Sequence, residues 1–206
     1  MGMAPSSRLD TNLSQIVGAT AGTKGGGATT VDVPKGVIAG DYLLLYAIGF
    51  SGTTLCPTGF TSIATTTDGN PDTATLCSRT ASSEPVSYTT GGTSTFQAAI
   101  LVAVRGLTNV VNGGPVTSVT TGFVSSLDSG TITETYDPKE VFFAFWDDNG
   151  GMITLPSDLM KIIIIDPSNQ NFGIGVGYQY FVSTPGVKTA TINSPSNMAS
   201  AVLTVK

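Results

Sequence analysis

The stretch Gly40 to Pro57, GDYLLLYAIGFSGTTLCP, constrains the fold more than any other part of the chain. Its core, Leu43 to Ile48, is too short for a membrane helix and too apolar for a half-exposed strand. A short run rich in branched and aromatic residues, closed by Gly49 and Gly52, predicts a strand buried on both faces. The pattern returns without a gap at Lys139 to Pro156, KEVFFAFWDDNGGMITLP. The tails of the two regions also match. Ala81 to Arg105 parallels Val182 to Lys206, each running from a Pro-containing turn through a Thr-bearing strand to an apolar strand with a terminal cation. The echo predicts pseudo-repeats over about 40–106 and 139–206.

Composition supplies the fold class. Ser and Thr make up about a quarter of the chain, and helix formers such as Lys, Glu and Gln are scarce. Short apolar or alternating runs, separated by turn signals such as Pro34-Lys35-Gly36 and Asp68 to Asp72, recur along the sequence. This predicts an all-β protein, an antiparallel β-sandwich of jelly-roll kind. One domain is expected over 31–206, because two halves with apolar faces would bury them on each other. Residues 1–30 carry no sustained apolar period and hold Gly22, Gly25, Gly26 and Gly27. They read as a flexible or extended N-terminal arm.

Charged residues are only 11% of the chain, with a net charge of −5. The few cations are scattered, so the electrostatic footprint of nucleic-acid binding is missing. The start, MGMAPSSRLD, lacks a basic then apolar pattern, and neither a secretory signal nor a membrane partner is expected. The echo sets Cys56 against Leu155, each directly before a proline. Cys56 therefore reads as a small packed hydrophobe, with a Cys56–Cys77 bridge as the lesser alternative.

The chain contains no histidine, the usual general base and the commonest metal ligand. Neither a Gly-x-Ser-x-Gly elbow nor a Walker motif occurs. No enzymatic activity, cofactor or metal is expected. The acidic cluster Asp147-Asp148-Asn149 reads first as a solvated turn and secondarily as a calcium loop or half of a carboxylate pair. Trp146, with Phe142, Phe143 and Phe145, reads as core before sugar-stacking platform. Tyr178 and Tyr180 suit core or interface. Trp146, Asp147, Asp148, Asn149, Tyr178 and Tyr180 are the candidate partner contacts.

Gly40-Asp41 with its apolar strand, Pro57-Thr58-Gly59-Phe60, Ala81-Ser82-Ser83-Glu84-Pro85 and the Ala98 to Arg105-Gly106 strand together resemble a bacteriophage virion module. The likeness is to the β-sandwich domains of capsid decoration (cement) proteins and of tail-fibre or receptor-binding parts, and it spans about 31–206. Where that family usually has Gly-Trp, this chain has Gly59-Phe60. No functional residue carries over. The resemblance implies a non-enzymatic virion protein on the capsid surface, assembled in the bacterial cytoplasm with unbridged thiols. It would be homo-oligomeric, with the major capsid protein and its own copies as partners. A receptor- or glycan-binding tail module is the alternative.

Overall fold

The structure is a computed structural model and describes residues 14–67, 72–107, 116–129, 140–147, 152–165, 173–180 and 187–205. Every regular element among them is a strand, so the all-β expectation holds. The first half contains β1 (Gln15–Gly25), β2 (Thr30–Asp32), β3 (Tyr42–Phe50), β4 (Thr54–Leu55), β5 (Thr61–Thr67), β6 (Thr73–Thr80), β7 (Ser87–Thr89), β8 (Gly91–Gly92) and β9 (Phe96–Arg105). The second contains β10 (Val116–Asp128), β11 (Glu140–Asp147), β12 (Ile153–Thr154), β13 (Met160–Ile165), β14 (Gly173–Tyr180) and β15 (Thr189–Val205).

Each half forms its own antiparallel sheet, in the orders β1-β9-β3-β6-β5 and β10-β15-β11-β14-β13. Strand for strand these orders are the same. Smaller features repeat as well. A bulge interrupts β5 between Ser62 and Ala64 and β13 between Lys161 and Ile163. The Phe60 N–H donates to the Pro57 carbonyl, and the Leu159 N–H donates to that of Pro156, both at 3.1 Å. The two-residue β4 pairs with β8, while β12 pairs with Thr191 and Ile192 inside the long β15. What are separate strands in the first half, β1 with β2 and β7 with β9, are continuous as β10 and β15 in the second.

The central strands have two dry faces, as the leucine run predicts. Leu44, Tyr46 and Ile48 join a core that also contains Ala144, Trp146, Ile174 and Val176 of the second sheet. Leu43, Leu45 and Ala47 point the other way, into a cluster with Val31, Cys77, Tyr88 and Leu101. Successive side chains alternate between faces, so one strand serves two cores. A third cluster, holding Leu127, Phe145, Ile153 and Leu159, covers the outer face of the second sheet. Between the sheets, β1 lies against β13, β9 against β14 and β5 against β10. The second sheet therefore crosses the first with its order reversed, as a two-fold relation between halves requires.

Four expectations need correction. First, the lead-in expected as an arm over 1–30 contains β1, paired with β9 along its length; residues 1–13 lie outside the described residues. A bulge between Ile16 and Gly18 breaks the alternation, which hides this edge strand from a period-two reading. Second, the strands do not shuttle between sheets as a jelly roll requires, because each sheet draws all its strands from one half. Third, the gapless echo places the second strand one residue out of register. Trp146 pairs with Ala199 and Ile174, as Ile48 pairs with Ala98 and Ala74, so Trp146 holds the place of Ile48 and Asp147 that of Gly49. Fourth, Cys56 and Cys77 form a disulfide, with Cα atoms 5.8 Å apart. The stretch 131–135, TITET, whose Thr and Ile predict a further weak strand, lies outside the described residues.

At the start of β3 the Asp41 carboxylate is buried and accepts two hydrogen bonds from Arg105 at the end of β9, both at 2.8 Å. The Ile38 N–H adds a third at 2.9 Å, and Arg105 also donates to the Gly36 carbonyl. The Arg105 hydrogen bond holds the Asp41 carboxyl below the usual range, against the opposing effect of burial and with help from Ile38. Its stabilisation is complete above about pH 4 and is lost as pH falls through the lowered folded value. Denaturant unfolding followed from about pH 6 to about pH 2 will show an acid-side loss of stability that Asp41→Asn flattens. An unchanged slope in the variant would assign that loss to other carboxylates.

Tyr46 presents a contrast. Its hydroxyl is buried between the sheets with no hydrogen-bond partner among the described residues, and burial pushes its pKa up. Tyr46→Phe removes a desolvated polar atom and leaves the ring, so it will keep stability or raise it by up to about 1–3 kcal/mol. Ile100→Ala, which opens a cavity in the same core, will cost roughly 2–5 kcal/mol. A loss above about 1 kcal/mol for Tyr46→Phe would reveal a partner for the hydroxyl.

Candidate functional site

The residues singled out from sequence fall into two groups. Trp146 is 8% exposed and packed in the core between the sheets. Asp147 ends β11, its backbone paired with Gly173 and Met198. Tyr178 pairs with Phe142 and Met160, and its half-buried ring packs on the inter-sheet core. Tyr180 pairs with Glu140 at the other end of β14. Trp146 lies four positions from Phe142 along β11, or about 13 Å at strand rise. The structure therefore sets Trp146 and Asp147 at one end of the β11–β14 pair and the two tyrosines toward the other. Asp148 and Asn149 lie outside the described residues, as do the side chains of Asp147 and Tyr180.

The counterpart of that strand end in the first half is fully described. Gly49 ends the buried part of β3, and a Cβ there would collide with the hydroxyls of Thr54 and Ser94. Beyond it, Ser51 takes a left-handed backbone angle (φ 52°), and its N–H donates to Asp72 Oδ1 at 2.6 Å. Thr73 donates its hydroxyl to the Gly52 carbonyl, Thr75 to Thr54 and Ser94 to Thr53, at 2.7–3.0 Å. The loop ends are thus braced by side chains bonding to backbone, the local role for which Ser, Thr and Asp are suited. Among the described residues, no group of three or more His, Cys, Asp or Glu side chains is placed to hold a metal ion. Ser51, Thr53 and Thr93 are exposed at this end, while Thr54, Ser94 and the bracing Asp72 are buried.

A second cluster joins the motifs that carried the family resemblance. Glu84 accepts hydrogen bonds from Arg79 Nε at 3.2 Å, from the Ser82 N–H at 2.6 Å and from the Tyr88 hydroxyl. The Arg79 guanidinium sits 5.8 Å from the Tyr88 ring centre, and Phe60 meets that ring edge-on at 4.9 Å. Arg79 also donates to the Gly59 carbonyl. The Pro57 turn and the Ala81–Pro85 loop therefore meet across Arg79. Sequence reading missed this ion pair because its partners lie on different elements and no spacing rule links them.

No protein-family model, curated protein or solved structure matches the chain.

Gly59 has φ +87°, and a Cβ there would run into the Arg79 guanidinium. Gly59→Ala will lower stability by about 1–3 kcal/mol, through backbone strain and displacement of Arg79. Thermal unfolding measures the loss. An effect within about 0.5 kcal/mol would show that Arg79 moves aside freely and that the turn relaxes.

Proposed function

We propose that the chain is a non-enzymatic structural component of a phage virion, its two sheets closing as a β-sandwich made from two repeats. In this reading it is a capsid decoration protein at the capsid surface, binding the major capsid protein and neighbouring copies of itself. The observation that carries the reading is how the duplicated sheets divide their side chains. Large aromatic and aliphatic groups are spent on the interior, while the outer loops expose hydroxyls and isolated aliphatics. Val86 is 85% exposed beside β7, and Val187 is 46% exposed beside the matching part of β15. Exposed aliphatic side chains on both halves suit a repetitive lattice, since interface centres are depleted of charge. A Cys56–Cys77 bridge fits a protein that works outside the reducing cell. The receptor- or glycan-binding alternative loses its stacking platform, because Trp146 is inside the core.

Co-sedimentation with capsid shells tests the proposal. The chain will pellet with shells, and Val86→Asp will weaken binding by about tenfold, or ~1.4 kcal/mol. Labelling of intact particles will mark the shell. Label confined to the tail would transfer the chain to receptor binding, and absence from particles would end both readings.

A further inference from the structure

Each sheet has a short flap across its outer face, 51–60 on the first and 152–159 on the second, and the two are anchored by different chemistry. In the second flap Ile153 and Leu159 are buried and Leu155 packs with them, all aliphatic. A Cβ on Gly177 would come within 3.3 Å of Leu155 Cδ1, so Leu155 sits directly over that glycine. In the first flap the same places hold Thr54, Cys56 and Phe60. Gly177 pairs with Phe143 and Lys161 as Cys77 pairs with Leu45 and Ser62, so Cys77 holds the place of Gly177. The disulfide thus stands where the second half has a leucine packed on a glycine. The two sulfurs are not equally reachable: Cys56 is half-buried, while Cys77 is fully buried.

We propose that Cys56 is a thiol–disulfide exchange site for small thiols and disulfides, and that the oxidation state of the Cys56–Cys77 pair closes or releases the first flap alone. In closing, the Cys56 thiolate attacks a small disulfide such as oxidised glutathione. A mixed disulfide forms on Cys56, and one small thiolate leaves. Cys77 then gives up its proton and attacks the Cys56 sulfur, expelling the second small thiol. Two protein thiols are oxidised, and one small disulfide is reduced to two thiols. Opening reverses the order. A small thiolate attacks the reachable Cys56 sulfur, the protein S–S bond breaks, and Cys77 takes up a proton in its buried place. A second small thiol then frees Cys56. Release follows because the reduced flap loses its covalent tie and lacks the aliphatic anchors of the second, keeping the short β4–β8 pairing, the Phe60 contact and polar bonds such as Thr75 to the Thr54 carbonyl. The second flap has no cysteine and keeps its aliphatic anchors.

Amide hydrogen exchange on the full chain, oxidised or reduced with dithiothreitol, tests the flap. Reduction will speed exchange over 51–60 by about tenfold or more and change 152–159 by less than about twofold. Equal protection of 51–60 in both states would overturn the proposal, as would equal loosening of the two flaps. Mass spectrometry after incubation with oxidised glutathione tests the exchange site. The full-length Cys77→Ala chain will hold a mixed disulfide on Cys56, whereas Cys56→Ala will stay unmodified at Cys77 so long as 152–159 remains protected. Modification of Cys77 at a comparable rate in that folded variant would also overturn it. The wild-type comparison stands even where a variant fails to fold.

Discussion

The constraint on which the structure depends is the two-sided dryness of β3 and β9. A strand with aliphatic side chains on both faces must be covered twice, and a single sheet can cover neither face by itself. The even-numbered residues of β3 are met by the second sheet. The odd-numbered ones are met by the first half's own loops, through Val31, Ala81 and Tyr88. This explains why so much chain is given to β2, β7, β4, β8 and the Pro57 turn, which add little hydrogen-bonded sheet. They are the cover of the outer face. The second half solves the same problem with longer strands, so its cover is continuous with β10 and β15.

Much of this was legible in the sequence, for physical reasons. Leu43 to Ile48 announces a doubly buried strand, and the strands that composition predicts over Phe60 to Ala64, Ala74 to Arg79 and Phe96 to Val104 overlap β5, β6 and β9. The duplication was legible too, but not its register. Asp147 to Ile153 spans one residue more than the equivalent Gly49 to Thr54, and a gapless comparison slides the strand by that residue. In a half-exposed strand such a slip would put polar residues inside and betray itself. In a strand apolar on both faces it leaves no trace, and so Trp146 was set against Ala47 instead of Ile48.

Most of the misses share a cause: they depend on a partner remote in sequence. Strand β1 is small and polar, carrying Gly18, Ala19, Thr20 and Gly22, and only its pairing with β9 makes it a strand. In the sequence Cys56 looks like packing because Leu155 holds the equivalent place. That inference identified the right position and the wrong bond, since the place opposite holds Cys77 in one half and Gly177 in the other. The bracing of Ser51 by Asp72 left no sequence signal, although the turn cluster that contains Asp72 did. The candidate contacts were chosen as one group, and the sheet spreads them along β11 and β14.

Tyr46 and Ala144 occupy equivalent places in the two sheets, as do Ile48 and Trp146. A large residue in one half is thus balanced by a smaller one in the other. Two first halves stacked together would bring two tyrosines into a space suited to one tyrosine and one alanine. Two second halves would set two tryptophans against two isoleucine-sized gaps while leaving the alanine places hollow. Overpacking and cavities are both costly. The asymmetry therefore works as a lock on parentage: each sheet recognises the unlike sheet of its own chain and rejects a like sheet from a neighbour.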